Sequence, residues 1–274
     1  MRERFPAMRP ALVAVARSTS CAAVQRLWRK SVKPSSEKGV HAAAYELFPD
    51  VDFVIHTHQF YASAVGAEGK DIEGAPCAGY GLPGTKKLKQ EVSRCIAFHP
   101  QDKAFLMEKH GALCLGASLE EAFAVAEELE RKCNDLFHSK VELRAADTKF
   151  DASAVTEYPY ALFDNDPIAR EYSYKAKRLP AFLDDFAQIV GPDAKCRRPK
   201  GYKTAIKNRN AVLLNGLGTL CVSDKEDDLE AIALIVSKNA AAALYCNEAE
   251  PLSKADAMLQ RFIYQKKYSK QKDK

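Results

Sequence analysis

Histidines and oxygen-bearing side chains concentrate between residues 33 and 61, in the stretch KPSSEKGVHAAAYELFPDVDFVIHTHQFY. The pair His56 and His58 stands in a run of β-branched and aromatic residues, VDFVIHTHQFY, that predicts a buried strand. Alternate residues of a strand point to the same face, so both imidazoles can reach one cation. Neutral imidazole nitrogen suits zinc. Taken alone, however, the pair is a weak signal for a metal site.

A catalytic zinc ion usually has three protein ligands and one open position. His110 is the best candidate for the third ligand, because it lies between two apolar runs and precedes Gly111, where another backbone segment can approach closely. His41 is interpreted as a hydrogen-bonded core residue or as a residue that supports a ligand.

Ser35, Ser36 and Glu37 stand at the start of a helix predicted from about Glu37 to Leu47. A serine at this position can simply cap the helix, and an acidic residue is favoured by the helix dipole. Alternatively, the hydroxyls and the free N–H groups can bind a phosphate, with the carboxylate beside them available as a base. The spacing of these residues leaves both interpretations open.

Predicted strands and helices alternate along the chain, which favours a layered α/β domain. After the strand at residues 51–61 and a glycine-rich connection, TKKLKQEVSRCIAF predicts a helix. The segment KAFLMEKHGALCLG predicts two strands, or one bent strand, around His110. Ser118 and Glu121 form a capping box that opens a further amphipathic helix.

Composition and charge restrict the class of protein. The chain has 274 residues, 47% hydrophobic and 28% charged, and no apolar run approaches the roughly 20 residues of a membrane-spanning helix. The net charge of +5 comes from the ends: residues 1–33 carry eight basic residues against one acidic residue, and the last 21 carry seven against two. Without a recognition motif among them, these basic residues predict solvated tails rather than a nucleic-acid site.

Eight cysteines are scattered without a C-x-x-C pair, which predicts reduced thiols in a cytoplasmic protein. Four of them fall in apolar patterns and are predicted core residues: Cys114, Cys133, Cys221 and Cys246. Residues 1–32 have the arginine-rich composition of a transit peptide. We expect instead a poorly structured basic leader or a misassigned start.

Four collinear segments together resemble the class II, zinc-dependent sugar-phosphate aldolases, the L-fuculose-1-phosphate aldolase and adducin-like family. They run from about Lys33 to Phe137 and read KPSSEKGVHAAAY, VIHTHQFYASAV, GYGLPGTKKL and EKHGALCLGASLEEAFAVAEELE. The resemblance implies an α/β/α domain in which one zinc ion is held by His56, His58 and His110.

The resemblance also implies that Glu37 is the acid/base carboxylate and that Ser35 and Ser36 contribute to a phosphate site. Zinc would act as Lewis acid and template on a dihydroxyacetone-phosphate unit. Related 4-epimerases usually carry Asp at the position of Glu37, which favours an aldolase. Two departures oppose full activity: the family's upstream segment with its G-N-x-S turn is expected to be missing, and its tyrosine acid matches no position, leaving Tyr61 and Tyr80 as possibilities.

A degenerate second copy of the strand, turn, strand and helix unit is predicted after residue 148. The segment NAVLLNGLGTLCVSDKEDDLEAIALIVSKNAAAALY repeats the pattern around His110 with Leu217 at the histidine position, so we expect this copy to bind no metal. The neighbours Asp184 and Asp185 are interpreted as a helix surface or cap rather than as paired catalytic carboxylates. The predicted domains are a basic leader at residues 1–32, a class II aldolase-like domain at residues 33–148, and the degenerate copy with a basic C-terminal tail at residues 149–274.

The resemblance implies a zinc-dependent lyase of carbohydrate metabolism that cleaves a phosphorylated ketose to dihydroxyacetone phosphate and an aldehyde, with an activity that the missing upstream segment is expected to impair. The alternatives are a non-catalytic adducin-like binding or assembly protein, and a sugar-phosphate 4-epimerase or dehydratase of the same family. The expected partners are a small sugar phosphate and, by resemblance, other copies of the chain in a tetramer, with no nucleic acid and no membrane.

Overall fold

Strands and helices alternate along the chain in the computed structural model, which describes residues 16–17, 37–207, 209–246 and 249–267. The strands in these ranges are β1 (Ala16–Arg17), β2 (Phe53–Thr57), β3 (Cys77–Ala78), β4 (Ala104–Met107), β5 (Gly111–Gly116), β6 (Tyr160–Asp164), β7 (Arg178–Pro180), β8 (Asp193–Arg197), β9 (Ala211–Leu214) and β10 (Gly218–Ser223). The α-helices are α1 (Lys38–Leu47), α2 (Phe60–Gly66), α3 (Lys86–Phe98), α4 (Leu119–Lys140), α5 (Pro167–Lys175), α6 (Asp184–Ile189), α7 (Tyr202–Ile206), α8 (Leu229–Tyr245) and α9 (Lys254–Lys267).

Local sequence signals account for several of these boundaries. The Ser118 hydroxyl accepts the Glu121 N–H (3.2 Å), and the Glu121 carboxylate accepts the Ala117 N–H (2.8 Å), so the predicted capping residues do begin α4. The strand predicted to reach Tyr61 is wrong at its end. It stops at Thr57, and the aromatic residues that follow belong to α2 instead.

The first sheet has the strand order β1-β2-β5-β4-β3. β5 pairs antiparallel with β2 and with β4, whereas β3 runs parallel to β4. Side chains of β5 alternate between the two faces: Leu113 and Leu115 join the apolar cluster of α1 and α3, and Ala112 and Cys114 join that of α2 and α4. The predicted α/β fold is confirmed.

The second sheet has the order β6-β10-β9-β8-β7, and its first four strands repeat the three pairings of β2-β5-β4-β3 in the first sheet. β10 pairs antiparallel with β6 and β9, and β8 runs parallel to β9. The registers correspond as well, because Asp164 faces Thr219 at one end of β6 as Thr57 faces Ala112 at the end of β2.

The turns before β5 and β10 also have the same form. The His110 N–H donates to the Met107 carbonyl (3.0 Å), and the Leu217 N–H donates to the Leu214 carbonyl (2.9 Å). The residue before each donor has a left-handed backbone, Lys109 with φ 60° in the first turn and a glycine with φ 71° in the second. Left-handed backbone is uncommon outside glycine, so the first turn needs support from its surroundings.

Helices between the two sheets form one shared layer. α2 contacts α4 of its own half and α8 of the other half. One buried apolar cluster contains residues from both, including Val65 of α2 and Val236 of α8. The four predicted core cysteines are buried here or in the adjoining strands, as expected. In the described part of the chain, each helix lacks the length or the apolar character needed to cross a membrane.

Two sequence expectations concern the ends of the chain. The basic leader predicted for residues 1–32 lies outside the described residues except at Ala16 and Arg17, which pair antiparallel with β2. The last part of the basic tail, beyond residue 267, lies outside them too. The predicted domain limits stay predictions.

Candidate metal centre

Three imidazoles converge where β2 ends and β5 begins. His56 lies on β2, His58 follows the last residue of that strand, and His110 ends the turn before β5. One nitrogen of each ring lies within 4.8 Å of one nitrogen of each of the others, and the ring centroids are 4.8 to 5.0 Å apart. Within the ranges that the structure describes, His56, His58 and His110 form the group of side chains that could hold a metal ion.

The ring nitrogens at the centre lack hydrogen-bond partners. Nε2 of His56 and Nε2 of His110 are both buried and make no hydrogen bond in the described part of the chain. His110 Nε2 lies 3.1 Å from Oε1 of Glu37, an ion-pair contact. Buried polar atoms are normally satisfied, so these two nitrogens fit a ligand set that binds a cation.

Glu37 lies between two of the histidines. Its Oε2 is 2.9 Å from Nδ1 of His56, while its Oε1 faces His110. Burial would raise the pKa of the Glu37 carboxyl, but His110 and His56 outweigh burial and hold that pKa well below its usual range. The carboxylate is therefore ionised at neutral pH.

Burial and charge act differently on the three rings. Burial lowers the pKa of His56 and lowers that of His58 still further. Burial would also lower the pKa of His110, but Glu37 and Asp184 outweigh it and raise the pKa to about 10. Binding of a divalent cation would displace the proton of His110, and the cation would then balance the negative charge of the Glu37 and Asp184 carboxylates beside three neutral rings.

Asp184 is the member of the cluster that the sequence did not predict. Its side chain is fully buried, and Oδ2 accepts the Nδ1 proton of His110 at 3.0 Å. The interpretation as a helix surface or cap is therefore wrong. The available signal was the pair of adjacent carboxylates at the start of a short helix, but nothing local connects it to a histidine 74 residues earlier.

A second contact links the C-terminal half to His58. The buried Lys238 ammonium donates to the His58 carbonyl at 3.2 Å and also to the Asp185 carboxylate. Oδ2 of Asp185 lies 3.9 Å from Nδ1 of His58. Both members of the acidic pair therefore face a histidine of the cluster.

The other predicted residues take different positions. Ser35 and Ser36 lie outside the described residues. His41 is buried with its ring centroid 6.3 Å from that of His56, and burial lowers its pKa to about 4, so it is a neutral core neighbour of the cluster. Of the two possible tyrosines, Tyr80 donates its hydroxyl proton to Asp184 (3.1 Å), whereas the Tyr61 hydroxyl lies 3.4 Å from the exposed ring of a helix histidine.

Similar proteins of known name include two sugar-phosphate aldolases and one decarboxylase of a phosphorylated acid. The L-fuculose phosphate aldolase of Escherichia coli O6:H1 strain CFT073 is 33% identical over 109 residues, covering 35% of this chain and 49% of the relative. The 5-methylthioribulose-1-phosphate/5-deoxyribulose-1-phosphate aldolase of Escherichia coli O45:K1 strain S88 is 31% identical over 132 residues, covering 42% and 61%. The 3-oxo-tetronate 4-phosphate decarboxylase of Escherichia coli O6:H1 strain CFT073 is 30% identical over 126 residues, covering 40% and 58%.

The chain spans about half the length of these curated relatives. Residues 4–136 match the family described as class II aldolase and adducin N-terminal domain. The matched range includes the three histidines, Glu37 and most of the segment predicted as a leader, whereas Asp184 lies beyond it. Residues 4–136, just under half of the chain, are thus similar to the class II aldolase and adducin N-terminal domain.

Proposed function

We propose that the chain is a zinc-dependent lyase that cleaves a carbon–carbon bond of a phosphorylated ketose, giving dihydroxyacetone phosphate and an aldehyde. One zinc ion per chain would be held by His56, His58 and His110. The observation that carries the proposal is the convergence of three imidazoles, two of which have a buried Nε2 without a hydrogen-bond partner. The match of residues 4–136 to the class II aldolase and adducin N-terminal domain supports the same reaction class.

Zinc, when bound, would supply Lewis-acid stabilisation of negative charge on the oxygens of the substrate. Glu37 would act as the acid/base group that transfers a proton of the substrate. His56 holds its Oε2, which leaves Oε1 directed toward the centre of the cluster. Glu37 would take the proton of the hydroxyl group on the carbon that becomes the aldehyde. After the carbon–carbon bond breaks and the aldehyde leaves, the remaining fragment retains the electron pair and receives that proton at carbon from Glu37.

The phosphate group would bind where α1 begins. Glu37 precedes the first residue of this helix, whose early N–H groups carry the positive end of the helix dipole. Ser35 and Ser36 come directly before it in the sequence and remain the predicted hydroxyl donors. Such an arrangement would place the phosphate beside the carboxylate that transfers the proton.

A second candidate reaction is decarboxylation of a phosphorylated 3-oxo acid. It is favoured by the relative named 3-oxo-tetronate 4-phosphate decarboxylase. Both reactions break a carbon–carbon bond near a carbonyl group and leave the electron pair on the carbonyl fragment. The same acid/base carboxylate and the same bound cation would therefore serve either substrate.

We also propose that residues 149–274 are a degenerate copy of the first half without a metal site. Support comes from the shared strand order, register and turn form of the two sheets. Phe163, Asn165 and Leu217 take the places that correspond to His56, His58 and His110 when Asp164 is aligned with Thr57. None of the three replacements offers an imidazole.

Metal analysis of the purified full chain tests the site. We expect about one zinc ion per wild-type chain and a sharp loss of zinc in His110→Ala, because the cluster would keep only two imidazoles. His99→Ala is the matched control, since that ring is partly exposed and faces Asp102 instead (3.7 Å). Unchanged zinc content in His110→Ala would contradict the assignment.

Assays on the same protein distinguish the reactions. Release of an aldehyde from ketose 1-phosphates would support the aldolase, and release of carbon dioxide from phosphorylated 3-oxo acids would support the decarboxylase. A chain that binds zinc but consumes neither class of substrate would favour the non-catalytic binding or assembly alternative.

A further inference from the structure

Asp184 is a buried carboxylate whose partners come from three parts of the chain. Its side chain is 0% exposed, so its charge is stabilised by protein groups rather than by water. Oδ1 accepts the Tyr80 hydroxyl proton (3.1 Å) and an Nε2 proton of Gln260 (2.6 Å), while Oδ2 accepts the Nδ1 proton of His110 (3.0 Å). The carboxylate is thus fixed on both oxygens.

The backbone of Asp184 holds the same turn as its side chain. Its N–H donates to the carbonyl of Lys109 at 2.9 Å. Lys109 is the non-glycine residue with left-handed backbone directly before His110. One residue of the second half therefore contacts both the backbone of the turn and the ring that the turn carries.

The contact to Nδ1 decides the chemistry of the other ring nitrogen. When Nδ1 carries the proton that Asp184 accepts and a cation displaces the proton of Nε2, the Nε2 lone pair of His110 can bind that cation. That Nε2 is the atom that lies buried without a hydrogen bond near Glu37 and the other two rings. Carboxylates that accept the outer proton of a ligating histidine fix its tautomer and orientation and raise its basicity.

We propose that Asp184 is a positioning residue for metal binding, so that the second half of the chain completes the metal site of the first half. The inference rests on the proposed metal site. It gives the degenerate half a function in the chemistry of the first half: α6 brings in the carboxylate, and α9, through Gln260, holds the carboxylate in place.

Titration of the full-length, metal-free chain with Co²⁺ tests the proposal, because the visible absorption of bound cobalt reports coordination geometry. The variant is Asp184→Asn. Its side chain cannot accept from His110 and from both donors at Oδ1 with the same atoms, since one position becomes an NH₂ group. We expect the Kd for Co²⁺ to rise about 10- to 100-fold and the absorption bands to shift.

Asp193→Asn is the matched control, because the Asp193 carboxylate pairs with Arg209 (3.2 Å) and Arg178 (3.9 Å). We expect wild-type cobalt affinity and spectrum for this variant. Tyr80→Phe and Gln260→Leu keep Asp184 but each remove one donor to it, so both should weaken cobalt binding in the same direction by a smaller factor. If Asp184→Asn does not fold, the Tyr80→Phe and Gln260→Leu variants test the proposal instead.

The outcomes separate the inference from the proposed function. A wild-type chain that takes up no Co²⁺ would overturn the metal site and this inference with it. A wild-type chain that binds Co²⁺, with unchanged Kd and spectrum in the Asp184, Tyr80 and Gln260 variants, would overturn the inference alone. Lower thermal stability with an unchanged cobalt spectrum would also overturn it, since the role of Asp184 would then be structural.

Discussion

Glu37 directs its carboxylate away from the helix that it precedes. It is the residue at the N-cap of α1, yet its side chain makes no capping hydrogen bond to the first turn. Both oxygens instead face histidine nitrogens, at 2.9 Å for His56 and 3.1 Å for His110. This geometry does not support the interpretation of Glu37 as a residue that only stabilises the start of the helix. It favours the proposed acid/base role.

Replacing Glu37 with Gln tests that role, because Gln has nearly the same shape but cannot carry the proton. We expect kcat to fall by about 10²- to 10⁴-fold, the usual contribution of a general base. Zinc content should stay near the wild-type value, and Glu46→Gln, at an exposed position of the same helix, should behave like the wild type. Loss of zinc with turnover intact would instead make Glu37 a ligand or a structural residue.

Single residues of the site differ in how far the sequence could predict them. Strand alternation predicts that His56 and His58 share a face, because that signal is local, whereas their role as ligands and the acid/base role of Glu37 rest on the family resemblance. Asp184 could not be predicted as a partner of His110, since their contact depends on how the two halves pack. The roles of Ser35 and Ser36 stay predictions.

The pairing of β2 with β5 places the histidines, and it depends on Gly111. A Cβ at this position would lie 2.2 Å from the carbonyl oxygen of Thr57, the residue between His56 and His58. Gly218 has the equivalent position in the second sheet, where a Cβ would lie 2.2 Å from the carbonyl oxygen of Asp164. Both strand pairs thus need a residue without a side chain where β5 and β10 start.

Alanine substitutions at these glycines should separate stability from metal binding. Gly111→Ala should lower the free energy of unfolding by about 1–3 kcal/mol, the usual cost of overpacking, and should weaken cobalt binding because β2 must shift. Gly218→Ala should lower stability comparably but leave the cobalt affinity of the folded protein unchanged.

Gly201→Ala is the control for these substitutions, since its Cβ would lie 3.7 Å from the nearest side-chain atom, an ordinary contact. Denaturant titrations and cobalt titrations of the three variants provide the comparison. Normal cobalt affinity in a destabilised Gly111→Ala protein would show that strand register does not control the site.

Individual elements were predictable to different degrees. α3 and α4 follow from apolar periodicity and from a Thr or Ser at the cap, with the Leu88 N–H bonded to the Thr85 hydroxyl at 3.3 Å. The end of β2 could not be predicted, because the aromatic residues Phe60 and Tyr61 suit a strand as well as a buried helix. Tertiary packing against α4 and α8 makes this segment a helix.

At the scale of the whole molecule, the two halves share a central helical layer. The cluster between the sheets includes side chains of α2 and α4 from the first half and of α5 and α8 from the second. The sequence pattern predicted a second copy, which stays a proposal, and it could not predict how the two halves pack, because similar amphipathic faces allow several packings. The shared core implies that neither half can open without exposing apolar surface of the other.

The last prediction is that both halves unfold in one cooperative step. Asn239 of α8 allows a test, because all of its hydrogen bonds described here lie within the second half. It is fully buried, its Oδ1 accepts the N–H groups of Phe182 (2.8 Å) and Leu183 (3.0 Å), and its Nδ2 donates to the carbonyl of Pro180 (2.9 Å). Asn239→Ala leaves these groups without partners and should cost about 2–4 kcal/mol.

Native-state hydrogen exchange with mass spectrometry measures where that loss appears. If the shared layer couples the halves, peptides of β5 and of β10 should lose the same free energy of opening in the Asn239→Ala protein, although the substitution lies in the second half alone. Faster exchange confined to β10 would mean that the halves open independently. In that case the first sheet would keep its histidine cluster while Asp184 moved away, and the two halves would have to be treated as separate units.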